Sequence, residues 1–433
     1  MTEEKFKPAR RVAGQRQDVW SIINEAAAAT PKQPVETNCD DIAFIGTELT
    51  VYIGYNPPQF VLDAAKQALD RVECNQYSPT KGRPRLKKAI ADAYSPFFGR
   101  ELNPETEVTI TTGANEGMLS AFMAFIEPGD EVIIFEPFFD QYLSNIEMPG
   151  GVIRYVPMSP PKDGAERTSS AANWTIDWDV LESSFNEKTK MIVINTPHNP
   201  VGKVFSKEEL QRIGDLCLKH NVLILSDEVY DRLYYVPFTR IATLSEELAK
   251  QTMVVGSGGK CFAATGWRVG WLCGPPELIK YVSAAHTRIC YSSVSPLQES
   301  VAIGFEQADK VGYWDHSVKE MQGKIKRFCE VFDELGIPYS DPEGGYFVLA
   351  NFAKVKVPDD YQFPDHVVNR PRDFKMAWFM IMELGIAAIP PTEFYTDQNT
   401  HIAEDWIRFA VCKNDDVLED AKDRLRGLKT YMT

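Results

Sequence analysis

The sequence predicts an α/β fold, with a large domain built on a mostly parallel central sheet and a smaller α+β unit after it. Two observations carry this expectation. Seven short, nearly all-apolar runs rich in Val and Ile recur through the middle of the chain and alternate with helical patterns. Runs without a polar face suit strands covered on both sides, as in parallel sheets. Toward the C-terminus the alternation stops, and longer amphipathic helices mix with isolated strands.

Taken in order, the strands are expected at Glu107–Thr111, Glu131–Phe135, Val152–Val156, Met191–Asn195, Val222–Leu225, Thr252–Val255 and Val269–Cys273. The helix Lys207–His220 carries its own start signal: Ser206 at the N-cap, with Glu209 three residues on, is a capping-box pattern. The C-terminal unit reads as a helix over Val318–Leu335 stopped by Gly336, a strand at Tyr346–Leu349 and a helix at Phe374–Leu384. A strand at Trp406–Val411 and a charged helix at Asp415–Leu428 complete it. Ser159–Asn173 reads as a surface loop, and Lys354–Arg372 as a polar, Pro-containing insertion.

Composition narrows the function classes. The chain has 433 residues and no apolar run long enough to cross a bilayer, so no membrane is expected. Its 46 basic and 61 acidic residues give a net charge of −15, which argues against general nucleic-acid binding but not against a local cationic pocket. The eight cysteines are scattered without a C-x-x-C pair, and the six histidines show no ligand spacing, so no metal is expected. Reduced thiols fit an intracellular protein. The first twenty residues hold Arg10, Arg11 and Arg16 but also Glu3, Glu4 and Asp18, with no apolar stretch. A cytoplasmic location is therefore expected, with a mitochondrial transit peptide as the alternative.

In open α/β sheets ligands lie beyond the carboxyl ends of the strands. The first strand is followed by Thr112-Gly113-Ala114-Asn115-Glu116-Gly117, opening a helix whose free N–H groups suit a phosphate. Later strands lead into Glu136-Pro137-Phe138-Phe139-Asp140, Thr196-Pro197-His198-Asn199-Pro200-Val201-Gly202, Ser226-Asp227-Glu228-Val229-Tyr230 and Gly256-Ser257-Gly258-Gly259-Lys260. Thr265-Gly266-Trp267-Arg268 comes next. Each has an ordinary reading alone: Asn-Pro and Gly-Gly are turn formers, an Asp at a strand end is often a cap, and a lone Lys is usually solvated. Gly256–Lys260 is no nucleotide-phosphate loop, because the spacing is wrong and Cys261 follows the Lys. Together, an Asn, an Asp, a Lys and an Arg follow in order at steps of 28, 33 and 8 residues. That set matches the needs of pyridoxal 5′-phosphate (PLP): a Lys for the Schiff base, an Asp for the pyridine nitrogen, and hydroxyl and cationic groups for the phosphate.

With these residues in place, the sequence resembles the fold-type-I PLP-dependent aminotransferases, and within them the kynurenine aminotransferases, also called kynurenine–oxoglutarate transaminases or cysteine-S-conjugate β-lyases. The resemblance rests on Asn75-Gln76-Tyr77-Ser78-Pro79 with Gly82, Glu136–Tyr142, Asn195–Phe205, Ser226–Tyr230, Ser257–Trp271, Pro342-Glu343-Gly344-Gly345-Tyr346-Phe347 and Trp406-Ile407-Arg408-Phe409. It runs from about Asp18 to the C-terminus, with a break at 38–54. It implies an N-terminal arm and part of the small domain over 1–60, a large PLP-binding domain over 61–305 and a small C-terminal domain over 306–433.

The resemblance also implies roles. Lys260 would bind PLP and, once freed, move the substrate's proton. Asp227 would keep the pyridine nitrogen protonated, and Asn199 and Tyr230 would bond the phenolic oxygen. Phe139 would stack on the ring, with Phe138 as the alternative. Backbone N–H groups of Ala114 and Asn115, with Ser257 and Arg268, would hold the phosphate. Tyr77 would reach the phosphate of a neighbouring subunit, which implies a homodimer. Arg408 would clamp the substrate carboxylate, supported by Asn195. Trp20 and Tyr291 would line an aromatic side-chain pocket, or serve only as core or interface rings.

The break at 38–54 replaces a Gly-Gln-Gly-Phe-like stretch that relatives carry before a Pro-Pro, here Pro57-Pro58. A His that some relatives carry after the pocket aromatic aligns with Ser292. The expected reaction is transamination of an L-amino acid, with L-kynurenine the first choice and other aromatic amino acids or glutamine beside it. A 2-oxo acid such as 2-oxoglutarate would accept the amine, and kynurenic acid would form. The alternatives are β-elimination from cysteine S-conjugates, or a PLP-binding form weakened by segment 38–54.

Overall fold

Eight strands build the central sheet of the computed structural model, which describes residues 9, 11–12, 19–30, 43–44 and 56–433. They are β1 (Val108–Thr111), β2 (Glu131–Glu136), β3 (Val152–Ser159), β4 (Thr175–Ile176), β5 (Thr189–Asn195), β6 (Leu223–Asp227), β7 (Thr252–Ser257) and β8 (Gly270–Cys273). Across the sheet the order is β1-β8-β7-β6-β5-β2-β3-β4. Neighbours from β7 to β3 are parallel, whereas β8 is antiparallel to both β7 and β1, and β4 is antiparallel to β3. Every residue of β1, β2, β7 and β8 is buried, the physical basis of their unbroken apolar pattern.

All seven expected strands lie in this sheet, with shifts of a few residues at their ends. β8 begins at Gly270 because Arg268 adopts a left-handed φ of 53°, which turns the chain before the ladder starts. β4 has only two residues and offers no periodicity to read. The helix Lys207–His220 has the capping box: the Ser206 hydroxyl accepts from the Glu209 N–H, while the Ser206 N–H donates to the Glu209 carboxylate.

A second, four-stranded sheet orders Trp406–Ala410, Phe347–Asn351, Tyr339–Asp341 and Ser169–Ser170. The last of these corrects the reading of Ser159–Asn173 as plain surface loop. Ser169 and Ser170 pair in parallel with Ser340 and Asp341, and Ala171 is buried. The expected helix at Phe374–Leu384 is α-helical over Arg372–Phe379 and continues as a π-turn over Met380–Leu384. Gly385 closes it at a φ of 69°. The final helix is α-helical over Asp415–Leu425, then tightens into a 3-10 turn. The last of the long helices to be placed, Tyr313–Leu335, starts five residues before the expected Val318 and ends at left-handed Gly336 as read. Of the segment 38–54, only Ala43–Phe44 are described, paired in parallel with Ile386–Ala387; the rest lies outside the described residues. Among the described residues no helix is long and apolar enough to cross a membrane.

Register brings the chemistry together. Asn195 at the end of β5 sits opposite Asp227 at the end of β6, and Asp227 sits opposite Val255 of β7. Ser257 at the end of β7 sits opposite Gly270 of β8. Backbone bonds stitch the turn before the strand Phe347–Asn351 onto this end of the large sheet: Glu343 and Gly344 N–H donate to Gly202 O, and Gly345 N–H donates to Leu233 O. The turn after β6 is pinned from behind by a buried ion network, in which Arg240 pairs with both Glu228 and Asp231. Such a pairing holds two buried carboxylates that could not stay charged alone.

Candidate active site

The carboxyl ends of β5, β6 and β7 open into a cleft with a buried floor and a partly exposed rim. Asp227, Tyr230, Tyr346 and Arg408 are buried; Asn115, Phe139, Asn199 and Lys260 are half-buried, and Arg268 is exposed. The cleft thus draws together most of the residues expected from sequence.

Lys260 lies in the short turn after β7, where the Ser257 hydroxyl caps the Lys260 N–H at 3.3 Å. Its Nζ donates to the Tyr346 hydroxyl at 3.1 Å. Loss of water around the amine, aided by Arg268 and Arg408 and opposed by Cys412, pulls Lys260 down to about 7. Near neutral pH a large fraction of this lysine is therefore an uncharged nucleophile.

Asp227 is 3% exposed. Its carboxylate accepts from the Tyr142 hydroxyl at 2.5 Å and from the Val229 N–H at 3.4 Å. Burial raises it to about 6 against the pull of these two bonds. No salt bridge to a basic side chain compensates it among the described residues. A buried carboxylate in this state could pair with a protonated ring nitrogen. Tyr142 was part of a recognised stretch but had no expected role; nothing in its sequence context announces a partner 85 residues away.

The start of the helix Ala114–Phe125 faces Arg268. A Cβ on Gly113 would lie 2.4 Å from the Arg268 Nη2, and one on Gly270 would lie 2.5 Å from the Ala114 N. Only glycines at these two points let a guanidinium and the first N–H groups of a helix approach so closely. The result is a cradle for a dianion, so the residues present fit a phosphate group. Behind it, Glu116 accepts from the Thr112 N–H, the Ser120 hydroxyl and the His286 ring, and Cys290 touches the same ring. The 2.9 Å and 3.3 Å separations of these groups from His286 Nδ1 are hydrogen-bonding distances, and the carboxylate is already engaged. This cluster therefore reads as a brace behind the helix start rather than as a ligand set.

Arg408, 2% exposed, stands on the strand Trp406–Ala410. Its guanidinium lies over the rings of Phe347 and Phe394, at 4.5 Å and 5.1 Å, and donates to the Asn199 Oδ1 at 3.0 Å. Burial lowers it to about 10, still charged at neutral pH. Asn195, expected beside the substrate carboxylate, is bonded to backbone at both ends of its amide. It donates to the Asp227 carbonyl at 3.0 Å and accepts from the Asn199 N–H at 2.7 Å.

Of the Phe pair, Phe138 is 4% exposed and packs in the core near Tyr155, whereas Phe139 stays half-buried at the rim, edge-on to Tyr142 at 5.6 Å. Tyr77 and Tyr291 form an edge-to-face pair at 5.5 Å, with 84% and 56% of their surfaces exposed. Tyr291 therefore sits on the surface of the single chain, not inside a closed pocket. Ser293, two residues on, bonds the Thr112 hydroxyl at 3.1 Å, so this surface adjoins the cradle. Ser292 is half-buried beside it. The Trp20 side chain lies outside the described residues.

The family pattern described as aminotransferase class I and II matches residues 51–425. A probable kynurenine–oxoglutarate transaminase of Saccharomyces cerevisiae, BNA3, is 50% identical over 417 residues, covering 96% of this chain and 93% of its own. A kynurenine–oxoglutarate transaminase of Dictyostelium discoideum is 37% identical over 435 residues, covering 98% and 97%. The crystal structure of Bna3p from Saccharomyces cerevisiae superposes with a TM-score of 0.94 at 49% identity, covering 98% of this chain and all of that one.

Proposed function

The chain belongs to the class I and II aminotransferases, which work with pyridoxal 5′-phosphate, and on that premise we propose that it transfers the amino group of L-kynurenine to a 2-oxo acid such as 2-oxoglutarate. The observation that carries the reading is one cleft holding both a lysine near neutrality and a buried carboxylate with no salt bridge among the described residues, Lys260 and Asp227. The substrate class rests on relatives named as kynurenine–oxoglutarate transaminases that match nearly the full chain.

When bound, PLP supplies an aldehyde for covalent capture and an electron-poor ring that accepts the electrons of a broken C–H bond. The protein's part follows from its own residues. Arg268, Ser257 and the N–H groups of Ala114 and Asn115 hold the phosphate. Asp227, kept in place by Tyr142, holds a proton on the ring nitrogen. Tyr230 and the amide nitrogen of Asn199 donate to the phenolic oxygen, the Asn199 Oδ1 being turned toward Arg408. Phe139, half-buried at the rim, would stack on the ring. Arg408 would bind the α-carboxylate of the amino acid and then that of the oxo acid, and so hold the substrate in the site that Lys260 shares. The Lys260 Nζ takes the Cα proton and returns it. Tyr77, exposed on one subunit, completes the phosphate site of its partner in a homodimer; light scattering at one subunit's mass would remove it from the site.

Two expected outcomes follow directly. Arg408→Lys keeps the charge but loses the two-pronged geometry, so KM for both the amino acid and the oxo acid should rise by about 10²-fold with a smaller change in kcat. Unchanged KM values in steady-state assays would take Arg408 out of the substrate site. Cofactor capture should also depend on pH. The folded Lys260 lies below its unfolded value, so its neutral form grows as pH rises through about 7. Stopped-flow mixing of cofactor-free protein with PLP should show a rate that climbs from pH 6 to 8 and then levels. A rate still climbing tenfold per unit above pH 9 would contradict it.

The reading itself is tested by products. With L-kynurenine and 2-oxoglutarate, kynurenic acid and glutamate should form in equal amounts. With cysteine S-conjugates and no oxo acid, sustained release of pyruvate and ammonia exceeding kynurenine turnover would favour β-elimination instead.

A further inference from the structure

Segment 389–399 backs Arg408 and is fastened at both ends. Its backbone pairs with that of Arg408: the Ile389 N–H donates to the Arg408 carbonyl at 3.1 Å, and the Arg408 N–H to the Ile389 carbonyl at 2.9 Å. The Phe394 ring, buried, lies 5.1 Å from the Arg408 guanidinium. Toward the start of the segment, the buried Asp373 carboxylate accepts from the Thr392 N–H and the Thr392 hydroxyl, both at 2.8 Å. Toward its end, Glu136 Oε1 accepts from the Thr396 N–H and Glu136 Oε2 from the Asn399 Nδ2, both at 2.5 Å. Glu136 is 0% exposed and closes β2, just before the loop that carries Phe139. From that loop the Phe138 N–H donates to the Phe394 carbonyl at 2.9 Å.

We propose that Glu136 is a positioning residue for carboxylate binding: its joint with Thr396 and Asn399 seats Phe394 against Arg408. The inference rests on the reading of Arg408 as the carboxylate-binding group, but not on the identity of the amino acid. Each oxygen of Glu136 meets an N–H donor, so the side chain serves as an acceptor on both sides. Bonds to a charged acceptor are roughly twice as strong as neutral ones. An apolar residue at 136 would leave the Thr396 N–H and the Asn399 amide without this acceptor. The ring that the joint seats matters because a guanidinium is attracted to an aromatic face, and its planar fork must meet a carboxylate squarely. A displacement of about 1 Å, even from a change remote from the reacting atoms, can cost about 10²-fold. Because Glu136 also leads into the Phe139 loop, one joint ties the ring-stacking side of the cleft to the carboxylate-binding side.

The test exchanges donor and acceptor across the joint. Asn399→Asp alone sets carboxylate against carboxylate and should open it. Adding Glu136→Gln should close it again, the new amide nitrogen donating to the new carboxylate while the amide oxygen still accepts from the Thr396 N–H. Titration calorimetry on the PLP-loaded enzyme, with 2-oxoglutarate or 3-phenylpropionate and no amino donor, reads carboxylate binding without turnover. Both Kd values should rise about tenfold in Asn399→Asp and return to within about twofold of native in the double variant. KM for amino acid and oxo acid should follow, with a smaller change in kcat and an unchanged Kd for PLP. Should Asn399→Asp fail to fold, Asn399→Ala removes one bond without adding charge and should raise both Kd values about threefold. Native Kd values in a folded Asn399 variant, or a double variant that binds no better than Asn399→Asp, would overturn the proposal. A native enzyme that binds neither carboxylate would overturn the reading of Arg408 itself, and the proposal with it.

Discussion

Replacing Lys260 by Ala is expected to lower turnover by about 10⁴-fold or more and to leave no PLP that borohydride can fix to the chain. Two functions end together. The aldehyde loses the one nucleophile that the turn after β7 aims at the cleft, and the proton on Cα loses its base. The turn itself should survive, because its cap is the Ser257 hydroxyl on a backbone N–H, not the side chain. Removing an amine from a place that disfavours its charge should not reduce the melting temperature. Phosphate-held PLP should still bind, through Arg268 and the helix start, more weakly and reversibly. A borohydride-fixed PLP on any other lysine, with residual turnover, would contradict the assignment.

Asp227→Asn should separate stability from function. The folded carboxyl titrates near 6 and the unfolded one near 3.8. At pH 7 both are charged, and the folded state bears the cost of a buried charge. That cost is absent below pH 3.8, grows between 3.8 and 6, and is complete above 6. The shift corresponds to about 3 kcal/mol at pH 7, of which Asn should recover about 1–3 kcal/mol in the cofactor-free protein while still accepting from Tyr142. The loaded enzyme should lose about 10³-fold in kcat, because the ring nitrogen no longer meets a negative charge that keeps it protonated. Calorimetry and steady-state assays on the same preparation check both halves. A variant that is less stable without cofactor, yet turns over normally, would show that Asp227 is a structural carboxylate.

What could be read in the sequence divides along physical lines. Strands β1, β2, β7 and β8 of the large sheet were legible because burial on both faces leaves a continuous apolar mark, and the helix Lys207–His220 because its cap is local. The residues at strand ends were legible as a set, since the sheet brings residues such as Asn195, Asp227 and Ser257 to one edge by register alone. What escaped depends on contacts between distant segments. Tyr142 finds Asp227 across 85 residues and Tyr346 finds Lys260 across 86, and a tyrosine is as much at home in a core as at a site. The backbone bonds of Asn195 to Asp227 and Asn199 likewise leave no mark in the sequence. The brace of Glu116, His286 and Cys290 joins two helices that no local pattern connects.

The most direct test of the account is a single half-reaction. Purified enzyme loaded with PLP is mixed with L-kynurenine in the absence of any oxo acid, and its absorption spectrum is followed. The account predicts loss of the bound cofactor's visible band, with one equivalent each of pyridoxamine phosphate and kynurenic acid per active site, and return of the band on adding 2-oxoglutarate. A band that stays unchanged under excess L-kynurenine from pH 6 to 9 would contradict it.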